Sequence, residues 1–164
     1  MIYRFKVWFE EEEEIFRVID IAPSASFLSL HQVVLDSIGF KKDLPSSFYC
    51  SDDNWRKGKE ISLNESSKLL METSKLKDHI NDPHQKFIFI TDFNENWILN
   101  IELQSIQNDV SGIAYPFVFK LSISLLKITG SITTPLPIKL RVLGLNTPDG
   151  MVFKTYFLPS NSKV

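Results

Sequence analysis

The pattern of hydrophobic and polar residues predicts a β-hairpin at the start of the chain. Apolar side chains occupy alternate positions over residues 2–9, with Arg4 and Lys6 between them, which is typical of a strand with one buried face. Five consecutive glutamates, residues 10–14, repel one another and predict a turn in water. A β-rich pattern resumes over residues 15–21, so we expect the two segments to pair.

The following segment predicts the main helix, over about residues 26–38. Its apolar stripe repeats at spacings of three and four and consists of Phe27, Leu30, His31, Val34, Leu35 and Ile38. Ser24 or Ser26 is available to cap the first turn, and Gly39 is placed to end the helix. One amphipathic helix is therefore expected after the first hairpin.

A second hairpin is predicted at about residues 86–103. Residues 86–93 and 97–103 are both strand-like, and residues 94–96, Asn-Glu-Asn, tolerate the backbone conformations of a turn. The polar stretch before it, residues 50–83, is uneven. Within that stretch we expect only short helices, at Leu69-Leu70-Met71 and around Leu76 and Ile80. Together these elements predict an α+β fold with an antiparallel-rich sheet.

Composition excludes several classes of protein. The 164 residues are enough for a domain with a hydrophobic core, and 18 basic and 20 acidic residues leave no strong field for nucleic acid or anionic membrane. No stretch approaches the roughly 18 to 20 apolar residues of a membrane helix, and the alternating N-terminus is unlike a signal peptide. We expect a cytoplasmic protein without a cofactor or a membrane partner; its partner is unknown, and a protein partner stays open.

His31 and two carboxylates near the second hairpin are the candidates for catalysis. His31 lies on the apolar stripe of the helix, where a histidine is either a base or a packed, hydrogen-bonded side chain. Asp92 and Glu95, with Glu102, could gather for acid-base or metal chemistry, or Asp92 could bond turn amides while Glu102 faces water. The structural role is the expected one at each position.

Trp55 is the first candidate for binding. It lies in an acidic, aromatic segment with Asp52, Asp53 and Glu60, which suits a partner but also fits ordinary turn chemistry. The spacing of His79 and His84 across a proline is not that of zinc ligands, so no metal site is expected.

Other familiar sites are not expected either. Cys50 has no neighbouring cation before Arg56 to activate it, so a buried, inert cysteine is expected. The sequence has no glycine-rich phosphate loop. Its basic residues are scattered, which argues against a recombinase.

Several segments, in a fixed order, resemble the plasmid pRiA4b ORF-3-like family, also labelled transposon passenger or resolvase-like. The segments are Phe16–Val18, Leu28–His31, Phe48–Ile61, Leu76–Ile80 and Thr91–Trp97. Phe48–Ile61 is similar to Bacteroidetes-type members, and the resemblance covers about residues 2–116. It implies an α+β fold and no established activity. Thr91, Asn94, Glu95 and Leu99 depart from the commoner motif, so the role of its histidine is not carried over.

The composition changes after Asp109, and we expect two regions, residues 1–109 and residues 110–164. The next acidic residue is Asp149, and no other follows it. The resemblance continues through Asp109–Gly112 and Tyr115-Pro116, after which similar proteins have a polar tail that is absent here.

A change of reading frame explains the missing tail. Codons shifted by one base over Thr129 to Val142 can encode Tyr-Gly-x-Tyr-Asn-Asp-Pro-x-x-Asp-Lys-Ile-Glu-Gly, so a frameshift after about Phe117 is predicted. The alternative is an authentic hydrophobic hairpin, with strands at 118–128 and 138–145.

The sequence favours a non-enzymatic binding or accessory module of the ORF-3-like type, with an interaction face around Trp55, Asp92 and Trp97. This interpretation depends on the lack of a convergent catalytic set. The alternative is an uncharacterised hydrolase or nucleic-acid-processing enzyme of mobile-element origin that uses His31 with Asp92 and Glu95. The two differ in whether His31 and Asp92 share a cleft.

Overall fold

The computed structural model describes residues 1–65, 67–121, 141–147 and 150–156, with side chains for 1–65 and 67–118. The chain divides into two compact units, Met1–Ser122 and Ile123–Val164. The described residues contain no helix with the length and apolar character needed to cross a membrane.

The first unit is built on a seven-stranded antiparallel sheet. Its strands are β1 (Ile2–Phe9), β2 (Glu12–Ile21), β3 (Ser46–Ser51), β4 (Lys57–Ser62), β5 (Lys86–Thr91), β6 (Trp97–Gln107) and β7 (Phe117–Leu121). They lie in the order β4-β3-β5-β6-β1-β2-β7. The β5–β6 hairpin therefore fills the space between the N-terminal hairpin and the β3–β4 hairpin, and it joins them into one sheet.

The predicted helix is confirmed as α1 (Phe27–Ile38). The Ser26 side chain accepts a hydrogen bond from the backbone N–H of Ser29 at 3.3 Å and so caps the first turn. Gly39 ends the helix in the left-handed region, with φ of 75°, which glycine adopts without steric cost. The helix lays its apolar stripe on one face of the sheet.

Phenylalanine side chains fill the space between α1 and the sheet. Phe27 of the helix packs edge-on against Phe48 of β3 and Phe87 of β5, with centroids 5.2 and 5.3 Å apart. Phe48 contacts Phe89 at 4.6 Å, and Phe5 of β1 contacts Phe87 at 6.3 Å. All five rings are fully buried, so the core extends across four neighbouring strands.

The α+β class and both predicted hairpins are confirmed, although the first turn is shorter than the predicted residues 10–14 because β2 begins at Glu12. The segment between the hairpins differs from expectation. The short helix predicted at Leu69–Met71 is wrong, because Leu70 instead forms a parallel bridge to Ser62. The helix around Leu76 is a four-residue 3-10 helix, Leu76–His79.

The β3–β4 hairpin was not predicted, because serines, lysines and a glycine dominate its sequence. The glycine is required by a close approach of two strands. A Cβ at Gly58 would lie 2.9 Å from the carbonyl oxygen of Cys50.

The described part of the second unit is an antiparallel hairpin of β8 (Arg141–Thr147) and β9 (Gly150–Tyr156). The predicted C-terminal pairing of 118–128 with 138–145 falls mostly on residues 122–140, which lie outside the described residues. The described start of the first predicted strand lies in β7, which pairs with β2 and not with residues 138–145.

Candidate functional site

The sheet face opposite α1 gathers polar and aromatic side chains. Successive residues of a strand point to opposite faces. Since Phe5 and Val7 of β1 belong to the core, Lys6 and Trp8 lie on the other face. We call this surface the tryptophan face and define it by Lys6, Trp8, Trp55, Lys86, Ile88, Asn100 and Glu102.

Two rows of side chains cross the tryptophan face on the adjacent strands β1, β6 and β5. In the first row, Asn100 is the cross-strand partner of both Trp8 and Ile88. In the second, Glu102 is the partner of both Lys6 and Lys86. A largely apolar row of Trp8, Asn100 and Ile88 therefore runs beside a row in which the Glu102 carboxylate separates two lysines.

Trp55 does not belong to a strand and lies over these rows. Its ring meets the ring of Trp8 edge-on, with centroids 5.4 Å apart and planes at 90°. The Lys86 Nζ atom lies 5.5 Å from the centre of the Trp55 ring, and the Lys6 Nζ atom lies 4.6 Å from the centre of the Trp8 ring. Because Trp8 is on β1 and Lys86 on β5, the Trp55 ring lies above β6.

The loop Asp52–Arg56, which we call the flap, holds Trp55 in this position. The Asp52 carboxylate accepts hydrogen bonds from the backbone N–H of Asn54 at 3.0 Å and of Arg56 at 3.1 Å. It also accepts one from Arg56 Nε at 2.7 Å, and chiefly this bond lowers the pKa of Asp52. Trp55 itself has a φ of 55°, a conformation that costs a non-glycine residue about 1–2 kcal/mol.

Ion pairs with exposed carboxylates tie the edges of the tryptophan face. Lys86 Nζ donates to Asp53 of the flap at 2.7 Å, and Lys6 Nζ donates to Glu13 at 2.8 Å. The lysine side chains are 16% and 21% exposed, whereas Asp53 and Glu13 are 89% and 71% exposed. The bond to Asp53 raises the pKa of Lys86. Lys6 and Lys86 are thus held in place by the sheet, whereas their carboxylate partners lie in solvent and can be replaced by another anion.

Asn100 is the one polar side chain of the first row that is deeply buried. It is 7% exposed, yet its Oδ1 accepts no hydrogen bond from the described residues. A buried carbonyl oxygen without a partner costs roughly 1–3 kcal/mol, so a side chain of this kind is uncommon in a sheet.

The chain matches the family model described as Plasmid pRiA4b ORF-3-like protein over residues 1–123. That range is more than half of the 164 residues. The chain belongs to this family. The matched range contains the whole of the resemblance predicted from the sequence, and it includes the entire seven-stranded sheet.

The ORF-3-like domain is also similar to a solved structure of a protein of unknown function, MM3350 from Methanosarcina mazei Go1. The TM-score is 0.65 at 19% sequence identity, over 73% of this chain and 68% of that chain. Identity this low supports the fold alone. No curated protein matches the sequence.

His31, the predicted catalytic histidine, is buried in the core of the ORF-3-like domain. It is 1% exposed and packs edge-on against Phe89 at 5.7 Å. Its Nε2 lies 3.3 Å from Ser46 Oγ, which in turn lies 2.9 Å from Thr91 Oγ1. Burial, and secondarily the charge of Lys42, lowers the pKa of His31 to about 4.

Asp92 and Glu95 lie in the turn between β5 and β6, beside this buried chain but not joined to His31. Asp92 adopts a φ of 51°, and its Oδ1 accepts a hydrogen bond from the Asn94 N–H at 3.3 Å. Glu95 is exposed. The turn-forming role proposed for Asp92 is therefore what its geometry supports.

The structure does not bring Trp97 together with Trp55. Trp97 packs against Phe9 at 5.9 Å and Phe40 at 5.6 Å, and both of these rings pack against the core cluster. Trp55 contacts Trp8 on the opposite face of the sheet. The predicted interaction face around Trp55, Asp92 and Trp97 thus divides into two places.

No group of three or more His, Cys, Asp or Glu residues suited to a metal ion is found among the described residues. Cys50 is half-buried, and burial raises the pKa of its thiol, which disfavours the reactive thiolate. The sequence pattern indicates Trp55 as a binding residue but gives no such sign for Trp8, Asn100 or Lys86. Their shared face depends on β6 lying between β1 and β5, a long-range pairing that local patterns do not reveal.

Proposed function

We propose that this ORF-3-like protein is a non-enzymatic binding module of the cytoplasm that takes a protein partner on the tryptophan face. The observation that carries the proposal is the Trp8–Trp55 pair held between Lys6 and Lys86 on the sheet face opposite α1. Tryptophans dominate the energetics of protein interfaces, and fixed charges beside them select and steer the partner. The proposal keeps Trp55 and leaves Asp92 and Trp97 outside the face.

The alternative, a hydrolase or nucleic-acid-processing enzyme using His31, Asp92 and Glu95, has less support. His31, Ser46 and Thr91 form a hydrogen-bonded chain, but each is at most 1% exposed. A general base must come within hydrogen-bond reach of its substrate. The resemblance of Phe48–Ile61 to Bacteroidetes-type proteins supports a bacterial, mobile-element origin for the module, which we retain as part of the proposal.

Site-specific photocrosslinking tests the binding function. A benzophenone amino acid at exposed Asn54, in the flap, is expected to form a discrete protein adduct in cells, and the same group at exposed Lys77 is not. Lys86→Glu should lower the adduct yield at position 54 at least about tenfold, because it sets like charge against the partner. The matched Lys77→Glu variant should leave it unchanged. Equal labelling at both positions, or insensitivity to Lys86→Glu, would contradict the proposal.

We also infer that the reading frame changes after about Phe117. The loss of acidic residues after Asp109 and the shifted codons of Thr129 to Val142 support this, and the family match ends at residue 123. Sequencing the coding DNA from Asp109 to the stop codon should reveal one missing or extra base relative to the frame of similar genes. An intact frame would make residues 110–164 an authentic segment and would end this proposal.

A further inference from the structure

We infer that the flap is an internal pseudo-ligand, and that the tryptophan face binds an acidic peptide segment carrying a tryptophan, which displaces the flap. The inference rests on the proposed binding function and names the chemistry of its partner. The flap already occupies this face. The flap reads Asp52-Asp53-Asn54-Trp55, with one carboxylate on Lys86 and one indole ring on Trp8.

The contacts of the flap show which groups the face accepts. Trp8 takes an indole ring edge-on, and Lys86 takes a carboxylate at 2.7 Å. Lys6 supplies a second cation whose carboxylate partner, Glu13, is largely exposed. An incoming segment with two carboxylates and a tryptophan would reproduce both flap contacts and also replace Glu13.

The flap is held to the sheet weakly enough to be displaced. Its link to the sheet through Asp53 is an exposed ion pair, which adds little stability in water. The hydrogen bonds around Asp52 are internal to the flap and keep its shape when it moves.

Asn100 shows what the flap fails to supply. Its buried Oδ1 accepts no hydrogen bond from the described residues, although Asn100 is the cross-strand partner of Trp8, the residue that meets the indole ring of the flap. A ligand that offers an N–H donor at this point, such as an indole or a peptide amide, would satisfy that oxygen. Such a ligand can therefore bind the tryptophan face more tightly than the flap does.

A peptide titration tests the inference with the full chain. The probe is an acetylated and amidated 12-residue peptide with Asp-Asp-Asn-Trp at its centre; the controls carry Lys-Lys-Asn-Trp or Asp-Asp-Asn-Ala instead. Binding is followed by the indole N–H signals of the protein in nitrogen-15 NMR spectra. We expect the probe to shift the signals of Trp8 and Trp55, to leave that of Trp97 in place, and to bind more tightly than both controls.

Variants distinguish displacement of the flap from simple surface binding. Asp53→Asn should strengthen binding of the probe about two- to fivefold, because it weakens the competing ion pair and raises the open fraction. The same change at exposed Asp43 should have no effect. Asn100→Leu should raise the melting temperature and still weaken binding, since it removes both the unpaired oxygen and its bond to the ligand.

The outcomes separate this inference from the proposed function. The pseudo-ligand inference would be overturned if the Asp53→Asn variant bound the probe no more tightly than the wild type. It would also be overturned if the protein bound the lysine peptide or an oligothymidylate more tightly than the probe. If the crosslinking at Asn54 succeeds while the probe fails, the binding module stands and the acidic partner is wrong. If both fail, the tryptophan face is not a binding surface.

Discussion

Replacing His31 with leucine is expected to remove an acid-sensitive component of roughly 3 kcal/mol from the stability of the fold. In the folded protein burial lowers the pKa of His31 from 6.5 to about 4. Between these values the unfolded chain binds a proton that the native core does not accept. The contribution is therefore fully present above pH 6.5 and is lost as the pH falls to about 4.

Urea unfolding of both proteins at pH 7.5, 6.0, 5.0 and 4.0 measures the effect, and the difference between them isolates it from the carboxylates that they share. The free energy of unfolding should fall more steeply for the wild type than for His31→Leu. His79→Leu is the matched control, since burial lowers the pKa of His79 as well but its side chain is only half-buried. Parallel pH curves for wild type and His31→Leu would contradict a buried, neutral His31.

The result also bears on the enzymatic alternative. A histidine that stays neutral because it is sealed in the core contributes packing against Phe89 and a polar link to Ser46, not proton transfer. If His31 titrated near pH 6.5 in the folded protein, water would reach it, and a catalytic role beside Asp92 would regain support.

Sequence patterns predicted the elements that turn one face to the core along most of their length. The first hairpin alternates because Tyr3, Phe5 and Val7 of β1 belong to the core while Arg4 and Lys6 lie on the other face, and α1 repeats every three to four residues because one stripe faces the sheet. The β3–β4 hairpin lacks this signal. Residues 57–60 at the sheet edge are all exposed, and β3 buries serines together with Phe48, so neither strand has an apolar repeat.

The candidate site was predicted only in part, for a related reason. Trp55 is indicated as a binding residue by the acidic and aromatic residues next to it in the sequence. In the sequence, Trp8 is one more residue of a strand-like segment, and the residues around Asn100 indicate no site. They meet because β6 is inserted between β1 and β5, which is a property of strand order and not of any local segment. A site that spans three strands is visible only after the sheet is assembled.

Phe27→Ala is expected to have the largest effect on stability, a loss of about 3 to 5 kcal/mol. The ring is fully buried at the first turn of α1 and contacts Phe48, Phe87 and His79 at 5.2 to 5.4 Å. Alanine would leave a cavity where the helix, the sheet and the 3-10 helix meet. The backbone N–H of Phe27 also donates to Ser74 at 3.0 Å, so this position fixes the start of the helix to the loop beside it.

Urea unfolding at pH 7.5 measures this loss, with Leu28→Ala as the matched control on the same turn. Leu28 is only partly buried, so its truncation removes less contact and leaves a smaller cavity. Phe27→Leu should fall between the two, because leucine fills part of the space. A loss of less than about 1.5 kcal/mol for Phe27→Ala would mean that the neighbouring rings collapse into the cavity. In that case the five phenylalanines would act as an adaptable cluster, and α1 would be held to the sheet mainly by the residues of its later turns.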